Sequence, residues 1–312
     1  MASMRIVTDP RCLEHAAPLG YPEKPERLRG VLAALRRDGF EVVETEPTKR
    51  PREAVEALHD GAYVERFARA VERGDGLLDS ADNPLSAGTF EASLGAVEAI
   101  LAGADWVMAE AGRKAMAAVR PPGHHAEEAR AMGFCFFNGI AVAAQDLIRR
   151  QLCQRVAIFD FDVHHGNGTQ HLFEERSDVF FVSTHQFPFY PGTGAAEERG
   201  QGAGTGTTLN LPMAAGAGDE EYGRVFEESV FPALRRFAPD VLLVSAGFDA
   251  WRGDPLGGMR VSAEGFADWG RRLAALSAEL CEGRLMMVLE GGYDLDELPE
   301  LVSGCCRAML GN

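Results

Sequence analysis

One stretch limits what this chain can fold into. The apolar run Arg155-Val-Ala-Ile158 leads straight into Phe159-Asp-Phe-Asp-Val-His-His-Gly-Asn-Gly168. A short run of consecutive apolar residues, here Val156-Ala-Ile-Phe159, reads as a strand buried on both faces, which is the mark of a parallel sheet covered by helices. The end of the run turns polar at once. In an extended segment, residues two apart point to the same side, so Asp162 and His164 can reach one metal ion from one backbone edge. Asp160 stands two residues earlier, placed behind them. The C-terminal ends of parallel strands are where α/β folds hold their ligands.

The same pattern recurs along the chain. Further strands are predicted at 5–8, 115–119, 179–183, 207–211, 240–245 and 285–289. Helices are predicted between them at 25–37, 51–73 with a break at Gly61, 89–102, 139–150, 220–237 and 263–281. Alternation of this kind predicts one parallel sheet with helices on both faces. No linker or repeat divides the 312 residues, so residues 1–312 are expected to form one catalytic domain.

Composition narrows the setting. Hydrophobic residues make up 46% of the chain, enough for a substantial core. The net charge of −16 argues against nucleic-acid binding. No apolar run approaches membrane-spanning length, and Met1 to Pro10 carries no signal-peptide core, so no membrane partner is expected. The six cysteines contain no C-x-x-C pair and read as reduced thiols of a cytoplasmic protein.

Four predicted strands end in reactive groups: His124 with His125, Asp162 with His164, Asp249, and Tyr293. Parallel strands bring those ends to one edge. Asp162, His164 and Asp249 supply one nitrogen and two carboxylates, the three protein ligands of a catalytic zinc, with iron(II) as the competing ion. Such a metal lowers the pKa of water to near neutrality. His124 or His125 would take the proton, and Tyr293 would donate to a developing oxyanion. These parts predict metal-assisted hydrolysis of an amide or ester. No G-x-x-x-x-G-K-[ST] and no G-x-S-x-G occurs, so neither a phosphate loop nor a serine elbow is expected. Cys135 lies in the apolar Phe134-Cys-Phe-Phe137 and reads as a buried structural thiol.

Arg120-Pro-Pro-Gly-His-His-Ala126, Gly133-Phe-Cys-Phe-Phe-Asn138, the 160–168 stretch, Pro191-Gly-Thr-Gly194, Gly247-Phe-Asp249 and Gly291-Gly-Tyr293 resemble the zinc-dependent histone deacetylase superfamily. That superfamily includes acetylpolyamine amidohydrolases and acetoin-utilisation proteins. The resemblance implies the arginase/deacetylase α/β fold with a central eight-stranded parallel sheet. It makes Asp162, His164 and Asp249 zinc ligands and His125 the general base. His124 backed by Asp160 becomes its electrostatic partner, and Tyr293 the oxyanion donor. It also implies tunnel or rim positions at Gly133, Phe134, Tyr190, Leu256, Asp82, Gly291 and Gly292. Arg27 would lie near an acetate exit, and a structural potassium ion would sit at Asp160, Asp162, His164, Ser183 and Thr184.

The chain also departs from its relatives. Asn167, which the resemblance places in the catalytic set as the partner of His125, replaces the aspartate of class I enzymes, which is the class II pattern. Tyr21 stands where many relatives have histidine, and Tyr190 where phenylalanine is usual. The resulting expectation is a class II-like deacylase of lysine side chains in proteins or peptides. Its competitors are a deacetylase of acetylpolyamines or other small amides, an acyl-lysine binding module, and an arginase-like dimanganese hydrolase. Leu256 stands against polyamines, because polyamine-selective relatives carry glutamate there. Tyr293 stands against a silent module, and the single D-x-D against a second metal.

Overall fold

The computed structural model describes residues 3–311. Its centre is the expected strand, β4 (Val156–Asp160), buried along its whole length. Seven more strands join it: β1 (Ser3–Thr8), β2 (Val42–Glu44), β3 (Arg113–Ala117), β5 (Val179–Gln186), β6 (Thr208–Met213), β7 (Val241–Ala246) and β8 (Leu285–Leu289). All pairings are parallel, in the order β2-β1-β3-β8-β7-β4-β5-β6. The four strands that end in reactive groups are therefore neighbours, β3-β8-β7-β4. Their ends are level, with Ala117 opposite Val288, Ala246 opposite Leu289, and Asp160 opposite Ser245.

Two groups of helices cover the sheet. In the first, α1 (Pro25–Arg37) and α9 (Ala263–Leu280) pack with α10 (Leu298–Met309). Pro25 opens α1, where its missing N–H costs nothing. Ser262 caps α9 by accepting from the Gly265 N–H at 3.0 Å. In the second, α2 (Arg50–Glu56) and α5 (Gly139–Arg149) pack with the long α4 (Thr89–Ala109). Asn138 caps α5 in the same way, accepting from the Ala141 N–H at 3.2 Å. The remaining helices are α3 (Gly61–Arg73), α6 (Asn167–Phe173), α7 (Asp219–Val225) and α8 (Phe231–Phe237). A π-turn joins the last two into one rod.

Several elements differ from expectation. Edge strand β2 has three residues, too few for any periodicity to register, and exists through pairing with β1. Helix α6 starts inside the motif, where no helix was predicted. Helix α10 was not among the predicted helices, although its apolar residues at 298, 301, 302, 305, 306 and 309 fall on one helical face, and all are buried. Helix α4 runs on past 102 to Ala109 and is long and apolar enough to cross a membrane, against the expectation of no such run. Instead it lies in the core, with 72% of its apolar window buried against strands and neighbouring helices. All six cysteines are unpaired and buried.

Candidate active site

Strand ends β4 and β7 bring three ligand atoms together. One atom each from Asp162, His164 and Asp249 lies within 4.8 Å of the other two. Main-chain donors aim the carboxylates. The Gly291 N–H donates to Asp162 Oδ2 at 2.8 Å, and the Val163 N–H to Asp249 Oδ1 at 2.9 Å. His164 Nδ1 stands 3.0 Å from Asp162 Oδ1 and 3.2 Å from Asp249 Oδ2. The second approach is misaligned for a hydrogen bond, so Asp249 Oδ2 is buried with no hydrogen-bond partner. Burial and the adjacent Asp162 push the Asp249 carboxyl up. An orphaned carboxylate oxygen, a second carboxylate and an imidazole nitrogen in one buried cluster fit a divalent cation with mixed N/O ligation. Gly291 is required there. A Cβ on it would lie 2.0 Å from Asp249 Oδ2 and 2.6 Å from Asp162 Oδ2.

The loop after β3 supplies the histidine pair. The His124 and His125 rings lie 4.0 Å apart. His124 Nδ1 pairs with Asp160 Oδ2 at 2.9 Å, and His125 Nδ1 with Asn167 Oδ1 at 2.7 Å. The two histidines are driven apart. Burial opposes charge on both, but Asp160 and Asp162 outweigh it at His124 and raise its pKa. At His125 burial prevails, helped by the positive charge of His124 and His164, and its pKa falls well below the usual range. Adjacent titratable groups pushed in opposite directions mark an acid/base pair.

Tyr293 lines the cavity, and burial keeps its hydroxyl protonated far above the usual tyrosine range. Beneath it lies a buried ionic cluster. The Arg27 guanidinium stacks 4.7 Å from the Tyr293 ring centre and donates to the Gly292 and Glu290 carbonyls, each at 2.6 Å. Glu23 receives Arg120 at 2.7 and 2.9 Å and Arg27 at 3.2 Å. Burial would raise the Glu23 carboxyl, but Arg120 and Arg27 hold it down to about 2.

A cavity of about 290 Å³ opens above these groups. His125, His164 and Tyr293 line it, together with Gly133, Phe134, Tyr190, Leu256, Asp82 and Phe189. Asp82 Oδ2 accepts from the Gly133 N–H at 2.9 Å and the Tyr190 hydroxyl at 3.0 Å. The Tyr21 hydroxyl donates to the Asp82 carbonyl. Both substituted tyrosines therefore tie down the rim aspartate. Gly291 and Gly292 do not line the cavity, contrary to expectation. They run beneath it, Gly291 against the two carboxylates and Gly292 holding Arg27. In the expected potassium region, Ser183 lies opposite Asp160 across β4–β5 and its hydroxyl engages His185 Nδ1 at 2.9 Å. Thr184 Oγ1 is buried without a partner.

Sequence reading missed three contributors. Phe189 stacks on His164 with ring centres 5.3 Å apart. Glu290 accepts from the Gly123 and His124 N–H groups at 2.6 and 3.2 Å and so holds the histidine loop. Asp254 accepts from the Tyr293 N–H at 2.7 Å. The only available signal for Glu290 was its place at the end of the last strand. Cys135 is buried, its thiol pushed far up, as its apolar neighbours implied.

Comparison with known proteins agrees with this arrangement. Residues 21–309 match the family model of the histone deacetylase domain. A probable deacetylase of Archaeoglobus fulgidus is 39% identical over 98% of this chain and 86% of its own length. A histone deacetylase-like amidohydrolase of Pseudomonas aeruginosa is 37% identical over 91% of this chain and 75% of its own. The crystal structure of an acetylpolyamine aminohydrolase from Burkholderia pseudomallei superposes with a TM-score of 0.88 at 33% identity, covering 98% of each chain. With the fold, the ligand triad and these likenesses together, the chain belongs to the histone deacetylase family of hydrolytic deacetylases.

Proposed function

We propose that the chain removes acetyl or other acyl groups from lysine side chains of peptides or proteins. The observation that carries this reading is the cavity wall. Phe134, Phe189, Tyr190 and Leu256 form an apolar sleeve, and His125, His164 and Tyr293 stand at its lining as the polar groups. A sleeve of this kind suits an aliphatic stem with an amide at its tip. Asp162, His164 and Asp249 would hold a zinc ion, with iron(II) as the alternative in the cell. When bound, the ion supplies Lewis-acid polarisation and water activation. His125 Nε2 then takes the proton of the attacking water and later delivers it to the leaving amine. His124, charged by its pairing with Asp160, stabilises negative charge beside it. Tyr293 donates to the developing oxyanion. Asp82 grips the substrate at the rim, and Arg27 lies on the acetate side. Potassium at Asp160, Asp162, His164, Ser183 and Thr184 and a cytoplasmic location belong to the same proposal. The test is turnover of a panel of acyl-lysine peptides and acetylpolyamines by zinc-loaded protein. Preference for the polyamines would overturn the lysine assignment.

The acetylpolyamine neighbour favours a second reading, hydrolysis of small acetylated amines. Leu256 discriminates the two. A polyamine carries a distal ammonium, and an apolar wall leaves it unpaired. Leu256→Glu is therefore expected to raise activity on acetylpolyamines relative to acetyl-lysine peptides. An unchanged ratio would mean Leu256 does not meet the distal amine.

Asn167 sets a second expectation. A carboxylate at hydrogen-bonding distance raises a histidine pKa. Raising the His125 pKa protonates the base over a wider acidic range, so the acidic limb of kcat/KM moves to higher pH. In this chain the Asn167 amide also meets Glu127. Asn167→Asp alone sets two carboxylates together, one of them takes up a proton, and the shift is blunted. The pair Asn167→Asp with Glu127→Gln should show the full shift. A limb that stays in place, or moves to lower pH, in the paired variant would count against pairing of position 167 with His125.

A further inference from the structure

We propose that Glu127 is a positioning residue for the reaction: by holding the Asn167 amide it fixes which way Asn167 points, and so which tautomer His125 carries. This rests on His125 acting as the base in the deacylation proposed above.

The need for such a residue follows from chemistry. An asparagine amide has a donor end and an acceptor end of nearly the same shape. A neutral imidazole likewise has one N–H and one bare nitrogen. A contact between His125 Nδ1 and the Asn167 amide is therefore satisfied in two ways. In one, Nδ1–H donates to Oδ1, and Nε2 is bare and able to take a proton. In the other, the amide donates to a bare Nδ1, the proton sits on Nε2, and His125 has no basic nitrogen left to accept another. An aspartate in place of Asn167 would leave no such ambiguity, because a carboxylate only accepts. With asparagine, a further group must choose.

The choice is made on the far side of the amide. Asn167 Nδ2 donates to Glu127 Oε1, to the His125 carbonyl at 3.3 Å and to Met132 Sδ at 3.3 Å. All three are acceptors. Turning the amide over would set its oxygen against a carboxylate and a carbonyl. Of the three contacts, only the one with Glu127 is charge-assisted, so it dominates. Glu127 is held in turn from outside, where His171 Nδ1 lies 2.9 Å from each carboxylate oxygen. Glu127 and His171 line a surface cleft with Leu58, Arg130 and Leu172. A continuous line of hydrogen bonds thus runs from that cleft through Glu127 and Asn167 to His125.

Two measurements test this. The first is the ring 15N spectrum of histidine-labelled, metal-free protein, which separates Nδ1–H from Nε2–H tautomers without any substrate. The second is turnover of an acetyl-lysine peptide by zinc-loaded protein. Glu127→Ala is expected to lose the pure Nδ1–H pattern of His125 and to lower kcat about 10–100-fold with KM little changed, the usual scale for such outer partners. Glu127→Gln can offer Asn167 either an oxygen or an N–H, so it should recover only part of both. In an Asn167→Ala background, Glu127→Ala should add nothing, because Glu127 acts only through Asn167. Should Glu127→Ala fold poorly, Glu127→Met keeps the bulk and removes the acceptor. An unchanged His125 tautomer in the variant, or an additive loss in the Asn167→Ala background, would overturn the proposal. A wild-type protein with the Nδ1–H tautomer but no turnover would sink the deacylase reading, and with it the link to the reaction, while leaving Glu127's control of the His125 tautomer intact.

Discussion

Asp249→Ala is expected to lose bound zinc and essentially all turnover together. The three ligand atoms come from two strand ends, and β7 contributes only Asp249. Without it Asp162 and His164 remain, one short of the three protein ligands a catalytic ion uses. Comparing metal-free proteins separates this loss from a folding defect. Asp249 Oδ2 has no hydrogen-bond partner and burial beside Asp162 disfavours its charge, but Asp249 Oδ1 accepts from the buried Val163 N–H, which the substitution leaves unpaired at a cost of about 1–3 kcal/mol. The metal-free variant should therefore melt somewhat below metal-free wild type. Zinc binds the native state only, so at 100 times its Kd it should stabilise wild type by about 2.7 kcal/mol and the variant hardly at all. Metal content after dialysis, thermal melts with and without zinc, and turnover together check this. Full zinc occupancy in the variant would refute the ligand assignment.

Tyr293→Phe is expected to keep its zinc and lose about 10²–10³ in kcat, the scale for removing one oxyanion donor. The substitution deletes a hydroxyl and leaves the rest in place. The ring would still stack on Arg27, the main chain would still donate to Asp254, and the loop would still be held by Arg27 on the Gly292 carbonyl. Burial keeps the Tyr293 hydroxyl protonated across the neutral range, so it is a donor at any pH where His125 is a neutral base. KM should change little, because the bond strengthens only as negative charge develops on the oxygen. A variant of near-normal rate would reduce Tyr293 to packing.

Much of the site was legible because its signals are local. Asp162 and His164 are two residues apart on one extended edge, and that spacing places both on one side whatever surrounds them. Asp249 and Tyr293 each follow an apolar run that ends in Gly-Phe or Gly-Gly, so their place at strand ends could be read directly. The missed groups act across long separations. Glu290 reaches the N–H of Gly123, 167 residues away, and Asp254 that of Tyr293, 39 away. Phe189 lies in a stretch with no period at all. Gly291 and Gly292 were misplaced for a related reason: a double glycine signals close approach, but not of what.

By itself, then, the sequence determined the parallel α/β class, the run of strands that end in reactive groups, and the chemistry of one imidazole and two carboxylates. Periodicity and residue type carry that information, because each strand's alternation and each ligand's donor atom are local properties. Tertiary structure alone decided that β3, β8, β7 and β4 lie side by side, which turns four separate ends into one site. It also decided that Asn167, which the resemblance had already paired with His125, turns the far side of its amide to Glu127. The physical reason is that strand order and amide orientation depend on which surfaces bury one another, and nothing within a single segment specifies its partner.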